Sequence, residues 1–496
     1  MSQLKETTQA KEAVAHAASA GLAPAPAAAP PKPASTLGRW IWVGIAAIVG
    51  GGIALLPPTP GLSHIAQMVL AILAFTAILW ATQAVNNGVA SILMMALMIF
   101  AGIPLPRALS GYADPAFWTL LTVLFYGFAM KKTGLAERLS YYILSLFPGT
   151  YPGILTAFFV IGFVLALGIP SMTVRTAIMT PIAWALVQSL GLPPFSRGSA
   201  LIIVTTVEMA VVPGIAFLYG SLAGPIVAKS FDAKHLPLTW TSYAQVITFP
   251  TLLLCALILI GNQIVLKPEA PLKASASFAK DRLRALGSFK RQELITGIIV
   301  VLSIVFWITT PYKLPSFFIG MIAMAVFNLT GIVQDQDIAT GVSWTLLLFL
   351  GGIFGLANVI QDYKVTDWMA SFFVPIVQRL TFSTVLLVLV MGLAMFLFRF
   401  LDPSSFIAIA VLFLAVVDVT SSVGIPPLVL MAALMVTSVP FWMLYQNFWL
   451  AMGEGLTGNQ ACTDSQRMRL AHAHAVFALI SLAVAVGYWK LIGILH

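Results

Sequence analysis

Apolar residues run along this chain in long unbroken blocks, separated by short stretches that carry Lys, Arg, Asp, Pro or Gly. Such blocks predict helices at about 40–56, 65–81, 86–102 and 116–145. A pair follows at 153–169 and 174–190, then an interrupted helix at 199–229 and a helix at 244–266. The second half predicts helices at 294–309, 315–333 and 341–373, a pair at 382–400 and 404–417, an interrupted helix at 426–452 and a last helix at 472–494. The blocks suit spans of roughly 20 residues. Period-2 alternation is absent, which argues against an outer-membrane barrel. The reading is an all-α polytopic membrane protein.

Two of the pairs, 153–190 and 382–417, consist of short segments interrupted by proline and small polar residues. They read as re-entrant hairpins that enter and leave on one side, with about eleven helices crossing. An inside N-terminus places 17 basic residues in inner loops and seven in outer loops and at the C-terminal end. The other two, Arg175 and Arg399, fall within the hairpins. The positive-inside rule favours that orientation, with the C-terminus periplasmic. The organisation is then a tail over 1–39, a first repeat over 40–266, a basic cytoplasmic linker over 267–293 and a second repeat over 294–496. Scaffold helices occupy 40–145 and 294–373.

Composition agrees with this reading. Of 496 residues, 59% are hydrophobic and only 9% charged, against about 25% charged in soluble domains. The net charge of +9 sits mainly in loops and does not indicate nucleic acid. Cys255 and Cys462 have no metal or disulfide spacing. The Ala/Pro-rich tail reads as disordered and lacks the apolar core of a secretory signal. A plastid transit peptide fits less well, because the tail is poor in Ser and Arg and contains Glu6 and Glu12. The expected location is a bacterial inner membrane.

The halves repeat one order of motifs. Trp-Thr-Leu-Leu occurs at Trp118 and Trp344, "IPSMT" and "DPSSF" follow at 169–173 and 402–406, and "VVPG" and "SVPF" follow at 211–214 and 438–441. Six spans before the linker and five after it make the repeats inverted. Inverted repeats with broken helices place a substrate site near the membrane midplane.

The chemistry follows from backbone exposed at depth, which must be buried in protein or line a polar cavity. A hairpin tip starts a helix whose free N–H groups and dipole favour an anion. Pro170-Ser171-Met172-Thr173 fits such a tip, with Ser171 or Thr173 as cap. Arg175 lies in the first turn beyond, where it either contacts a substrate anion or pairs with Glu208. Arg399 and Asp402 flank the second tip, Ser404-Ser405, at a spacing that allows a local ion pair. Pro213, Gly214 and Pro440 interrupt the two long helices. Asp418 is expected at the outer surface. His472 and His474 do not share a helix face and are expected at the cytoplasmic end of the last helix. No Walker motif, HExxH or nucleophile elbow is present, so an enzyme is not expected, nor a metal or organic cofactor.

These residues carry a resemblance. "PSMTVRTAIMTPI" at 170–182, "GIAFLYGSLAGPI" at 214–226 and the Lys-Thr-Gly-Leu-Ala run at 132–136 are similar to motifs of the divalent anion–sodium symporter family. The similarity is to its exchanger-like branch, with oxoglutarate/malate, citrate and tartrate carriers. The resemblance implies two re-entrant hairpins, a scaffold with a mobile transport domain, a homodimer, elevator-type movement and carboxylate binding at the tips. It also implies sodium sites at two Ser-Asn-Thr tips. Here Met172 replaces the first Asn, and the second tip reads Ser404-Ser405-Phe406. Tyr219 and Gly224 also depart from the branch's pattern. Sodium coupling is therefore disfavoured, and Arg175 is expected to supply the positive charge.

The expected function is exchange of di- or tricarboxylates, with Ser171, Met172, Thr173, Arg175, Pro213, Gly214, Ser404, Ser405 and Pro440 at the site. Glu208, Arg399 and Asp402 are the charge-coupling candidates. The alternatives are sodium- or proton-coupled symport and, more distantly, a non-transporting anion sensor.

Overall fold

The computed structural model describes residues 36–57, 61–272, 277–309, 316–365, 368, 375, 379, 383–399, 406–442 and 446–495. Asp402, Ser404 and Ser405 lie outside these residues, as does nearly all of the tail. The described chain is helical. Its helices are α1 (Thr36–Leu55), α2 (His64–Thr82), α3 (Asn87–Phe100), α4 (Pro115–Thr133), α5 (Leu135–Leu144), α6 (Tyr151–Gly168) and α7 (Met172–Ser189). There follow α8 (Arg197–Val211), α9 (Ala223–Ala233), α10 (Trp240–Val265), α11 (Ser277–Ala285), α12 (Arg291–Thr309) and α13 (Ser316–Leu329). The remainder are α14 (Trp344–Asp362), α15 (Thr384–Phe398), α16 (Phe406–Ser422), α17 (Pro427–Thr437), α18 (Phe448–Leu456) and α19 (Asp464–Leu491).

Short polar residues start many of these helices. Ser63, Thr150, Ser196, Ser343 and Ser383 each accept a backbone N–H of the first turn through the side-chain oxygen. Thr463 and Gln466 cap α19 reciprocally. That box moves the start of the last helix eight residues ahead of the expected position 472. The single helix expected over 116–145 is two helices. Gly134, at φ +86°, supplies a left-handed turn between α4 and α5 that a side chain resists. The linker also carries structure of its own, α11.

Among the described residues, eight helices are long and apolar enough to cross a membrane, and five shorter apolar helices accompany them. Exposed apolar side chains concentrate on such helices: Trp40, Ile48 and Leu55 on α1, and Leu294, Ile298 and Val301 on α12. Large exposed apolar surface of this kind suits lipid.

Packing sorts the helices into two groups. The first consists of α1 to α4 with α13 and α14. The second consists of α6 to α10 with α15 to α19. An ion pair between Asp114 and Lys229 at 2.7 Å, both buried, joins the groups through the start of α4 and α9. The Gln361 amide also donates to the Ala233 carbonyl. Within the second group the order hairpin, broken helix, long helix occurs twice: α6–α7, α8–α9 and α10, then α15–α16, α17–α18 and α19. From Gly198 to Ala216 every residue is buried, so the first broken helix runs through the centre.

Candidate functional site

The chain reverses between α6 and α7 at Ile169-Pro170-Ser171. Ser171 caps α7, its Oγ accepting from the Val174 amide at 3.3 Å. The first amides of a helix have no partner within it. Nothing among the described residues accepts from those of Met172 and Thr173. Ser171 and Met172 are each nearly buried, and Thr173 is half-buried.

Beside this tip α8 ends. Val212–Ala216 tightens into a 3-10 turn at Pro213, and regular helix resumes only at Ala223. The break frees carbonyls that a lipid-bounded interior cannot hydrate. Arg175, wholly buried, meets them. Its Nε donates to the Ala210 carbonyl at 2.5 Å, one terminal nitrogen to Ile169 and to Gly220 (2.7 Å), and the other to Val211 at 3.4 Å. The Tyr243 hydroxyl donates to Ile215 at 2.8 Å and the Thr248 hydroxyl to Ala216 at 2.9 Å. Arg175 therefore ties the end of α6, the end of α8 and the resuming strand of chain at Gly220 into one unit. Its charge lies where two helix C-termini converge, and offsets their negative ends. Beside it, the first two amides of α7 have no acceptor among the described residues.

The second break has a related arrangement. Arg399, buried at the end of α15, donates to the Gln446 carbonyl and to Asn447 Oδ1 at 2.6 Å. Asn447 Nδ2 donates in turn to Val439 at 3.1 Å, and Gln446 Oε1 accepts from the Trp442 amide at 2.8 Å. Pro440 lies between these contacts. α18, the helix after this break, packs against α7. The hairpin of the first half thus meets the broken helix of the second.

Of the two alternatives for Arg175, the pairing with Glu208 is not formed. Glu208 accepts instead from Asn262 Nδ2 at 2.6 Å and is 2.8 Å from His474 Nδ1. The reason is the orientation of α8. Glu208 faces α10 and α19, whereas Arg175 approaches the carbonyl end of the same helix. His474 is fully buried because α19 starts early, while His472 is exposed. Asp418 is exposed and pairs with Lys234 at 2.5 Å. The expected pairing of Arg399 with Asp402 falls outside the described residues.

His474, Asn262, Tyr243, Gln446 and Asn447 are site residues that the sequence reading did not select. Asn262, in the apolar run of α10, was the clearest available signal, since an amide there needs a partner. Among the described residues no group of three His, Cys, Asp or Glu side chains is placed to hold a metal ion. Cys462 is buried in the loop before α19. That burial, with the nearby Glu454 carboxylate, pushes its thiol up to about 12, so it is not a reactive thiolate.

Paired helical hairpins and two broken helices buried in an apolar bundle define a class of protein, the secondary membrane transporters. The chain belongs to the family described as "Sodium:sulfate symporter transmembrane region", which matches residues 38–495, and the divalent anion–sodium symporters are its wider grouping. It is 24% identical over 394 residues to "Dicarboxylate transporter 1, chloroplastic" of Spinacia oleracea, covering 77% of this chain and 69% of that protein. The Arabidopsis thaliana protein of the same name is 25% identical over 423 residues, with 83% and 75% covered. "Inner membrane protein YbhI" of Escherichia coli is 26% identical over 273 residues, with 53% and 57% covered. The fold is similar to that of the Alcanivorax borkumensis YdaH transporter, at a TM-score of 0.58 and 14% identity over 93% of this chain and 99% of that one.

Proposed function

We propose that this protein carries di- or tricarboxylate anions across a bacterial inner membrane by exchanging one anion for another. The observation that carries this reading is the tip of the first hairpin. Among the described residues the amides of Met172 and Thr173 have no acceptor, and Ser171 caps the positive end of α7 beside them. Arg175 keeps that end in place and adds a fixed positive charge behind it. The dicarboxylate transporters among the relatives support the same substrate class.

Exchange follows from the fixed charge. An empty site with a resident guanidinium and the open positive end of α7 crosses a low-dielectric barrier poorly, whereas a bound dianion offsets both positive features. The group α6–α10 with α15–α19 is the moving body in this account and the other group is the scaffold of a homodimer, with the N-terminus cytoplasmic. Sodium is not required, because Met172 supplies no amide oxygen at the tip. In this reading Ser404 and Ser405, which lie outside the described residues, also bind the anion.

A thermal-shift screen of the purified protein tests the substrate class. Malate, succinate, oxoglutarate, tartrate, citrate and sulfate are compared at equal concentration. A bound ligand at a hundred times its Kd adds about 2.7 kcal/mol of stability, so at least one dicarboxylate is expected to raise Tm by several degrees. Stabilisation by sulfate alone, or by none of the six, would overturn the carboxylate reading.

A further inference from the structure

Most buried carboxylates in this structure have a permanent cation beside them. Glu293 has Arg138 at 2.8 Å, Asp114 has Lys229 at 2.7 Å and Glu454 has Arg467 at 3.1 Å. Glu208 is different. Its side chain is 3% exposed, and the ion-pair partner it has among the described residues is the imidazole of His474, itself 0% exposed. A carboxylate at that depth is costly unless its charge is met. Here the charge is met by an imidazole, a group that exists in a neutral and a cationic form.

We infer that Glu208 and His474 form a single-proton binding site whose occupancy is linked to binding of the transported anion. The inference rests on the anion-carrier reading above and adds to it a second, cationic ligand. With Glu208 ionised and His474 neutral, its Nδ1–H donating to the carboxylate, the pair carries one negative charge. One proton taken up at the Nε2 lone pair forms an N–H bond, breaks none, and leaves the pair neutral. Resting that proton on the carboxyl instead gives the same total charge.

The surroundings are built for a change of state. Among the described residues, His474 Nε2, Asn262 Oδ1 and the Thr206 hydroxyl are buried without a hydrogen-bond partner. Asn262 links the pair to Thr205, its Nδ2 lying 3.0 Å from the Thr205 hydroxyl oxygen. The edge of the Phe441 ring closes the space around the imidazole, at 5.9 Å between centroids.

Other charged or titratable groups on the packed elements are accounted for. α7 contributes Arg175, bound to carbonyls, and α10 contributes Cys255 and Tyr243, whose hydroxyl donates to Ile215. α18 contributes Glu454, engaged by Arg467 of α19, while His472 and Arg469 of α19 face outward. α6 and α17 carry no charged side chain.

The link to the anion is positional. Glu208 is two residues before Ala210, whose carbonyl holds Arg175 Nε. Protonation removes a negative charge from beside the positive unit at the tip. A unit charge about 10 Å away in a protein interior alters affinity for an anion on the order of tenfold. Linkage makes the effect reciprocal, so anion binding draws a proton onto the pair. The pair also joins α8 of the first half to α19 of the second, and its state is thereby sensed by both.

The test uses malate, which is essentially a dianion from pH 6.5 to 8.5. Its Kd is measured across that range for the wild type, Glu208→Gln and His474→Gln. The wild type is expected to weaken as pH rises, by up to about tenfold in total across the range, which is the size of the coupling itself, and both variants to give a flat profile. In parallel, infrared difference spectra of ligand-free protein between the two pH limits are expected to show carboxyl or imidazole bands that Glu208→Gln abolishes. His474→Gln, which can still donate to Glu208, serves if the other variant does not fold. An unchanged pH slope in the variants, or wild-type spectra without such bands, overturns the inference. Malate binding absent at every pH in the wild type counts against the carrier reading, and the spectra alone then decide the pair.

Discussion

Arg175→Gln is expected to lower the thermal stability of the ligand-free protein and to reduce anion transport to under about a tenth of the wild type. The guanidinium satisfies carbonyls of Ile169, Ala210, Val211 and Gly220. A buried carbonyl left without a donor costs about 1–3 kcal/mol, and glutamine can reach at most one or two of the four. Arg175→Lys is not expected to rescue, because a single ammonium cannot spread its donors over carbonyls on three segments. The decisive readout is Tm without any anion. A residue that served only as a substrate ligand would leave that value unchanged and remove only the stabilisation by anion. Tm in the absence of anion is expected to fall in both variants.

Gly214→Ala is the second large effect. A Cβ at this position would lie 2.4 Å from the Arg175 terminal nitrogen and 2.4 Å from the Gly220 carbonyl oxygen. Both neighbours are held by the bond network at the break, so neither yields without breaking it. Overpacking of this kind costs about 1–3 kcal/mol, to which lost Arg175 hydrogen bonds are added. The expected result is a fall in Tm together with loss of transport. Gly51→Ala provides the contrast: nothing lies within 4 Å of its added Cβ, and a helix prefers alanine by roughly 0.5–1 kcal/mol. Equal stability of Gly214→Ala and the wild type would show that the break tolerates a displaced guanidinium.

The first hairpin and the two breaks are legible in the sequence for a definite reason. Pro170, Pro213, Gly214 and Pro440 interrupt apolar runs, and proline removes a donor that a helix interior needs. The tip at Ser171 is legible because a short hydroxyl side chain before a helical run is a cap. The partner of Arg175 is not legible, because its acceptors are backbone carbonyls. Every residue carries one, so no residue type marks which of them fold to the guanidinium. Glu208 looked like the acceptor because it was the nearest opposite charge in sequence. Helix phase decided otherwise and turned it toward His474, 266 residues away. His474 in turn read as the end of a helix. The Thr463–Gln466 capping box starts α19 early and carries that histidine inside. Gly134 between α4 and α5 stands directly after the polar run Lys131-Lys132-Thr133, but residue type alone does not show the left-handed φ of +86° that makes it a break.

The account's central claim is an anion site that crosses only when occupied, and counterflow in proteoliposomes tests it most directly. Labelled malate is supplied outside vesicles that contain either unlabelled malate or none, without a sodium gradient. The account predicts rapid accumulation in the malate-loaded vesicles and little in the empty ones. Equal uptake into empty vesicles once a sodium gradient is imposed would contradict it.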